Sequence, residues 1–184
     1  MSEDQARAIA ADNLFLDESM DERKASITGL RAGLGVCKFG QLDPENALRG
    51  KFRVDCEHGW LNVTLTLAPL QPPRVQFLEV SGGKPPSDAL KQSAEAVARA
   101  IATGARDLRL AAKLNRGDLS ATLESTRLVY GSCRLKDAIE GDGLAKATFM
   151  LNCDRGPLEM AMSLEEGRIA SVKFTQSMDA ACLP

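Results

Sequence analysis

The chain has 184 residues and a net charge of -2, its 23 basic and 25 acidic residues spread along its length. That balance excludes a basic nucleic-acid footprint and a polybasic membrane patch, and no apolar run reaches the roughly 18 residues of a spanning helix. With 44% apolar and 26% charged residues, the composition is that of a folded globular protein.

The N-terminus, Met1-Ser2-Glu3-Asp4-Gln5, is acidic and lacks the charged-then-apolar order of a secretory signal. Residues 2–16 predict a short helix with Ala8, Ile9 and Ala11 as its apolar positions, and residues 17–34 predict a second with Ile27, Leu30 and Leu34 on one stripe. Gly33 and Gly35 stop it. Four strand-like runs follow, about 36–41, 47–56, 60–68 and 74–80. Leu61, Val63, Leu65 and Leu67 alternate with Asn62, Thr64 and Thr66, and Phe52, Val54 and Cys56 alternate with Lys51, Arg53 and Asp55, so each run buries one face.

Ser81-Gly82-Gly83-Lys84-Pro85-Pro86-Ser87 reads as turn and linker. Ser87 or Asp88 then caps a helix striped by Leu90, Ala94, Val97 and Ile101. A second piece is expected at 106–114 and a third helix from Asp118, whose Leu119, Leu123, Thr126 and Tyr130 hold the places of Arg23, Ile27, Leu30 and Leu34. Strands are expected again at about 132–138, 144–153, 157–164 and 168–175.

The second set repeats the first. Cys56, Gly59, Leu61, Val63, Leu65, Leu67 and Cys153, Gly156, Leu158, Met160, Met162, Leu164 share the pattern C-x-x-G-x-L-x-[VM]-x-[LM]-x-L, offset by about 97 residues. The reading is therefore α+β: a tandem duplication of a cystatin-like or nuclear-transport-factor-like unit, each with N-terminal helices and a four-stranded antiparallel meander. Residues 1–81 form the first repeat, 82–87 the linker and 88–184 the second.

If the first two strands of each copy form a hairpin, Cys37 faces Cys56 across Asp43-Pro44-Glu45-Asn46, and Cys133 faces Cys153 across Gly141-Asp142-Gly143. Both pairs are then placed for cross-strand disulfides, the alternative being reduced core thiols. Bridges imply an oxidising, extracytoplasmic compartment if the chain belongs to a longer exported protein, and a cytoplasmic one is expected if Met1 is the natural start. Cys182 is left over as a free thiol, an intermolecular partner or a competitor for Cys133 or Cys153.

Gly131-x-Cys133, Phe149-x-Leu151-x-Cys153-x-Arg155-Gly156-Pro157-Leu158, Gly167-Arg168-Ile169 and Cys182-Leu183-Pro184 resemble the FmtA-like accessory domain found C-terminal to some bacterial β-lactamase-like and penicillin-binding-protein-like serine hydrolases. The resemblance covers the second copy from about Leu110 and more loosely the first, which departs at Trp60, where the second has Pro157, and in the longer 68–73 loop. It implies an extracytoplasmic, non-catalytic module whose partner is a serine hydrolase catalytic domain or a cell-wall peptide.

Catalytic chemistry finds little footing. A Ser-x-x-Lys nucleophile must open a helix, and Ser81-Gly82-Gly83-Lys84 runs into two prolines. The single histidine, His58, falls in a hairpin turn, and no C-x-x-C, H-E-x-x-H or dinucleotide-type glycine loop is present, so no metal or cofactor is expected. Trp60 starts its strand out of phase with Leu61 and Val63, which predicts an outward, exposed ring. With Arg53, Arg74 and the Pro72-Pro73 loop it is the leading binding candidate; Tyr130 is a second aromatic candidate, weighed against core packing on its helix stripe. The leading function is a non-catalytic binding or interaction module. The alternative is a small-ligand-binding or isomerase-like enzyme using a concave pocket between helix and sheet, and a third reading is a cytoplasmic scaffold with reduced thiols.

Overall fold

A computed structural model of the chain describes residues 3–177. The chain divides into two compact units, Met1–Gly83 and Lys84–Pro184.

The first unit holds α1 (Glu3–Ile9), a 3-10 turn (Asp12–Phe15), α2 (Met20–Arg31) and the strands β1 (Cys37–Pro44), β2 (Arg49–Cys56), β3 (Gly59–Ala68) and β4 (Arg74–Lys84). α2 begins where it does because Ser19 accepts the Glu22 N–H while the Glu22 carboxylate accepts the Ser19 N–H, a reciprocal cap that satisfies two otherwise orphaned donors. The chain then turns through Gly33 and Gly35, both at positive φ. β1 to β4 pair consecutively and antiparallel, and the Asn46 side chain closes the first hairpin by accepting the Leu48 and Arg49 N–H groups.

The second unit holds α3 (Asp88–Thr103), α4 (Arg116–Tyr130), β5 (Cys133–Asp142), β6 (Lys146–Cys153), β7 (Gly156–Glu165) and β8 (Arg168–Gln176). Ser87 caps α3 by accepting the Leu90 N–H, and Asn115 caps α4 by accepting from Gly117 and Asp118. The first hairpin of this unit is closed by Asp142, whose carboxylate collects the N–H groups of Leu144, Ala145 and Lys146. α3 packs on β5, β6 and β7, and its Leu90, Val97 and Ile101 meet Phe149, Leu151 and Met160 in one continuous core.

Between the second and third strands of each unit, register follows the sequence repeat residue by residue. Val54 faces Leu61 and Phe52 faces Val63 in the first unit; Leu151 faces Leu158 and Phe149 faces Met160 in the second. The same hairpin-end lock also recurs. Glu57 accepts the Val36 N–H beside Gly35, and Asp154 accepts the Ser132 N–H beside Gly131.

The expected pair of cystatin-like or nuclear-transport-factor-like units is nevertheless not what forms. The fold is mostly β-sheet, 43% strand against 31% helix, and its sheet is mixed rather than a pure antiparallel meander. Parallel bridges tie Ala10 to Val75 and Leu110 to Ile169. The helices do not repeat either. α3 is 16 residues long and buries six of them, whereas α1 has seven residues and buries none. Repetition of strand patterning therefore did not carry repetition of the helix-on-sheet unit, because an apolar strand phase specifies a face to be covered but not the element that covers it.

Local readings shift for identifiable reasons. The 2–16 helix breaks into α1 and the 3-10 turn because Ala11 donates to the Val75 carbonyl instead of continuing the helix. Residues 81–84, read as linker, continue β4, with Gly82 and Gly83 opposite Leu61 and Trp60. A Cβ at Gly82 would lie 2.7 Å from the Leu61 side chain, so glycine here serves close approach rather than a turn. The expected helix at 106–114 is absent. Its carbonyls at Ala105, Arg106 and Leu108 are taken by the Arg116 guanidinium, and Ala111 and Ile169 extend the parallel bridge.

Candidate functional site

The four cysteines are brought together as pairs. Cys37 lies opposite Cys56 and Cys133 opposite Cys153, with sulfur separations of 2.09 and 2.00 Å. Each bridge ties the first strand of its unit to the second at the end remote from the hairpin turn. Cys182 lies outside the described residues.

The aromatic candidates fare differently. Trp60 is not the exposed outer ring that its strand phase suggested; it is 6% exposed, with the Arg53 guanidinium 4.7 Å over its ring. Arg53 also pairs with Asp55 at 2.8 Å, so its charge is already engaged. Arg74 starts β4 opposite Ala68, whereas Trp60 faces Gly83 near the other end of that strand. Eight residues of β3 separate Trp60 from Ala68, a span of about 26 Å, so Arg74 and Trp60 do not form one site. Tyr130 belongs to the second unit, half-buried against its core. His58 is exposed in the turn between β2 and β3.

Clefts open on both units. In the first unit a cleft of about 320 Å³ lies between α2 and β4, lined by Asp17, Glu18, Arg23, Ile27, Leu78 and Glu79 among others. Arg23 dominates it, but its guanidinium donates to the Leu78 and Leu14 carbonyls and pairs with Glu18 at 3.3 Å. That arginine ties α2 to β4. In the second unit Arg109, Arg116, Glu166 and Arg168 line a cleft of about 480 Å³, where Arg116 is again spent on backbone carbonyls. Among the described residues no group of three or more His, Cys, Asp or Glu side chains could hold a metal ion, and no helix is long and apolar enough to cross a membrane.

A stronger feature is a surface that the sequence reading did not single out. In the first unit the side chains of Phe39, Leu42, Phe52, Val54, Leu61 and Val63 share one face through the register Phe39 to Val54, Leu42 to Phe52 and Val54 to Leu61. On the β3–β4 side Arg23 of α2 reaches the Leu78 carbonyl, and Leu34, just past the end of α2, is buried where a Cβ on Gly59 would strike it. The β1–β2 side is open. Phe39 is 67% exposed and Leu42 53%, and the rings of Phe39 and Phe52 stack on one another at 4.7 Å.

The second unit shows the same face filled. Phe149 and Leu151, which stand where Phe52 and Val54 stand, are 1% and 0% exposed. Leu135 and Ala138, in the places of Phe39 and Leu42, pack against the core under α3. The signal in the sequence was Phe39 in phase with Cys37 on a strand preceded by only one striped helix, where the second set of strands is preceded by two; Leu42 lies in the opposite phase and reaches this face only through the irregularity between Phe39 and Leu42.

Comparison with known proteins gives no match to a family model, to a characterised protein or to a solved structure.

Proposed function

We propose that this chain is a non-catalytic interaction module, acting as an accessory region of an exported serine hydrolase. One observation carries the reading: the apolar sheet face that α3 fills in the second unit is left open over β1 and β2 in the first, and contiguous exposed apolar surface of this kind marks a place where another molecule binds. The two cysteine pairs fit an oxidising, extracytoplasmic compartment. The hydrolase as partner rests on the accessory-domain resemblance of Phe149-x-Leu151-x-Cys153-x-Arg155-Gly156-Pro157-Leu158. The clefts give less support to the small-ligand alternative, since the arginine at the centre of each is committed to backbone carbonyls.

The test is calorimetric titration of the full chain with the catalytic domain of a penicillin-binding-type serine hydrolase and, separately, with cell-wall peptides. Binding that is weakened by Phe39→Asp is the expected result. Turnover of an acyl ester or β-lactam by the chain alone, or no binding to either partner, overturns the reading.

A further inference from the structure

Resting on that reading, we infer that the open face of the first unit is a groove for one amphipathic α-helix donated by a partner protein, of about four turns, with a narrow stripe of small and aliphatic residues and an acidic flank. The molecule itself supplies the template. Over β5, β6 and β7 the equivalent face is closed by α3, whose stripe Leu90, Ala94, Val97 and Ile101 is essentially fully buried. Because alanine and valine stand in that stripe, the helix approaches the sheet closely and lets Phe149 and Met160 fill the space between.

Among the described residues the first unit has no such helix to offer. The parallel bridge Ala10 to Val75 plays the part of Leu110 to Ile169, so α1 corresponds to the connection that follows α3 and not to α3 itself. Among the described residues nothing fills the place of α3, and the side chains left uncovered are those on the strand matching the one where α3 makes its main contacts in the second unit. A helix of 16 residues is about 24 Å long, which matches the reach of an eight-residue strand such as β1. Docking of an apolar helix face against an apolar groove is an established mode of recognition.

Charge selects the flank. On α4, Arg116, Ser120 and Arg127 share one side, and Arg116 reaches the carbonyls of Ala105 and Leu108 just past the end of α3. The corresponding side of α2, 96 residues earlier in sequence, carries Met20, Lys24 and Arg31. Lys24 and Arg31 are exposed there, so a helix lying in the place of α3 meets two positive charges and is favoured by carboxylates along that edge.

The experiment uses a fluorescein-labelled peptide of residues 87–104, the chain's own α3, added to the full chain and followed by anisotropy, with sedimentation of the unliganded protein run in parallel. The expected result is saturable binding that Phe39→Asp and Leu42→Asp each weaken by about tenfold or more, while Leu144→Asp, on an exposed loop of the second unit, leaves it unchanged. A peptide with Lys91 and Arg99 changed to glutamate binds more tightly, and added salt removes that difference. Both Asp variants sit at exposed positions, and a melting curve like that of the parent shows that they fold. Absence of saturable binding overturns the inference, as does binding indifferent to both variants. Self-association lost in Phe39→Asp also overturns it, because a second copy is then the occupant. If the hydrolase domain binds through Phe39 but the peptide does not, the helix inference fails and the interaction-module reading stands.

Discussion

Truncating one phenylalanine in each unit tests the central contrast between a filled and an open sheet face. Phe149 and Phe52 occupy the same register position, Phe149 opposite Met160 and Phe52 opposite Val63. Phe149 is 1% exposed within a core that includes Leu90, Val97 and Leu151. Replacing it by alanine removes its transfer free energy and leaves a cavity that α3 cannot collapse into without moving, a cost of about 3–5 kcal/mol. Phe52 is half-buried and its ring stacks on an exposed Phe39. Its truncation forfeits part of the transfer term and opens no enclosed void, so the cost is about 1–2 kcal/mol. Against a whole-domain stability of about 5–15 kcal/mol, the first change brings the second unit near its unfolding threshold and the second does not. Urea unfolding followed by hydrogen exchange on peptides from each unit separates the two effects. Equal losses for Phe52→Ala and Phe149→Ala would refute the reasoning, since they would require the β1–β2 face to be packed as tightly as that of β5–β6.

Three further outcomes follow from the same structure. Alkylation of the denatured, unreduced protein leaves Cys37, Cys56, Cys133 and Cys153 unmodified, and reduction destabilises each unit by about 3 kcal/mol, the loop-closure entropy of rings of 19 and 20 residues; modification of all four without reductant is the contrary result. Burial pushes the Asp142 carboxyl upward, but the N–H groups of Lys146, Leu144 and Ala145 outweigh it and hold its pKa below the ordinary value of 3.8. Its contribution is therefore present above that ordinary value and lost as pH falls through the lower folded one; Asp142→Ala costs about 1 kcal/mol at neutral pH, the low end for an exposed acceptor, and an unaltered pH profile of unfolding in that variant counts against the assignment. Gly131 has φ 79 and a Cβ there would lie 2.6 Å from the Asp154 carboxylate, so Gly131→Ala lowers stability by about 1–2 kcal/mol, whereas Gly29→Ala, at a helical position where a Cβ meets nothing within 4 Å, is neutral or stabilising by thermal melting.

By itself the sequence determined the alternation along β2 and β3, the pairing of the cysteines across the first hairpin of each unit and the Ser87 cap, whereas the irregularities in β1 and β5 shift the register beyond the cysteines. Each rests on residues a few positions apart, or on two runs joined by a short turn, where pleat and turn geometry leave few choices. Cys37 opposite Cys56 and Ser87 at the head of α3 are of that kind. Tertiary structure alone decided what lies on each face. The pattern at Trp60 said that its side chain leaves the sheet opposite to Leu61, but its burial and the arginine over its ring depend on neighbours that local alternation does not encode. Gly82 and Gly83 read as a turn because glycine permits one, and the close approach of β3 turned them into strand. The repeat of strands misled most about the whole. The two sets of strands, with the same apolar face, made equal demands for cover, and among the described residues only the second is met by a helix as long and as apolar as α3. Covering a face requires a separate segment to be present and to arrive there, a condition that no periodicity within the strands can express.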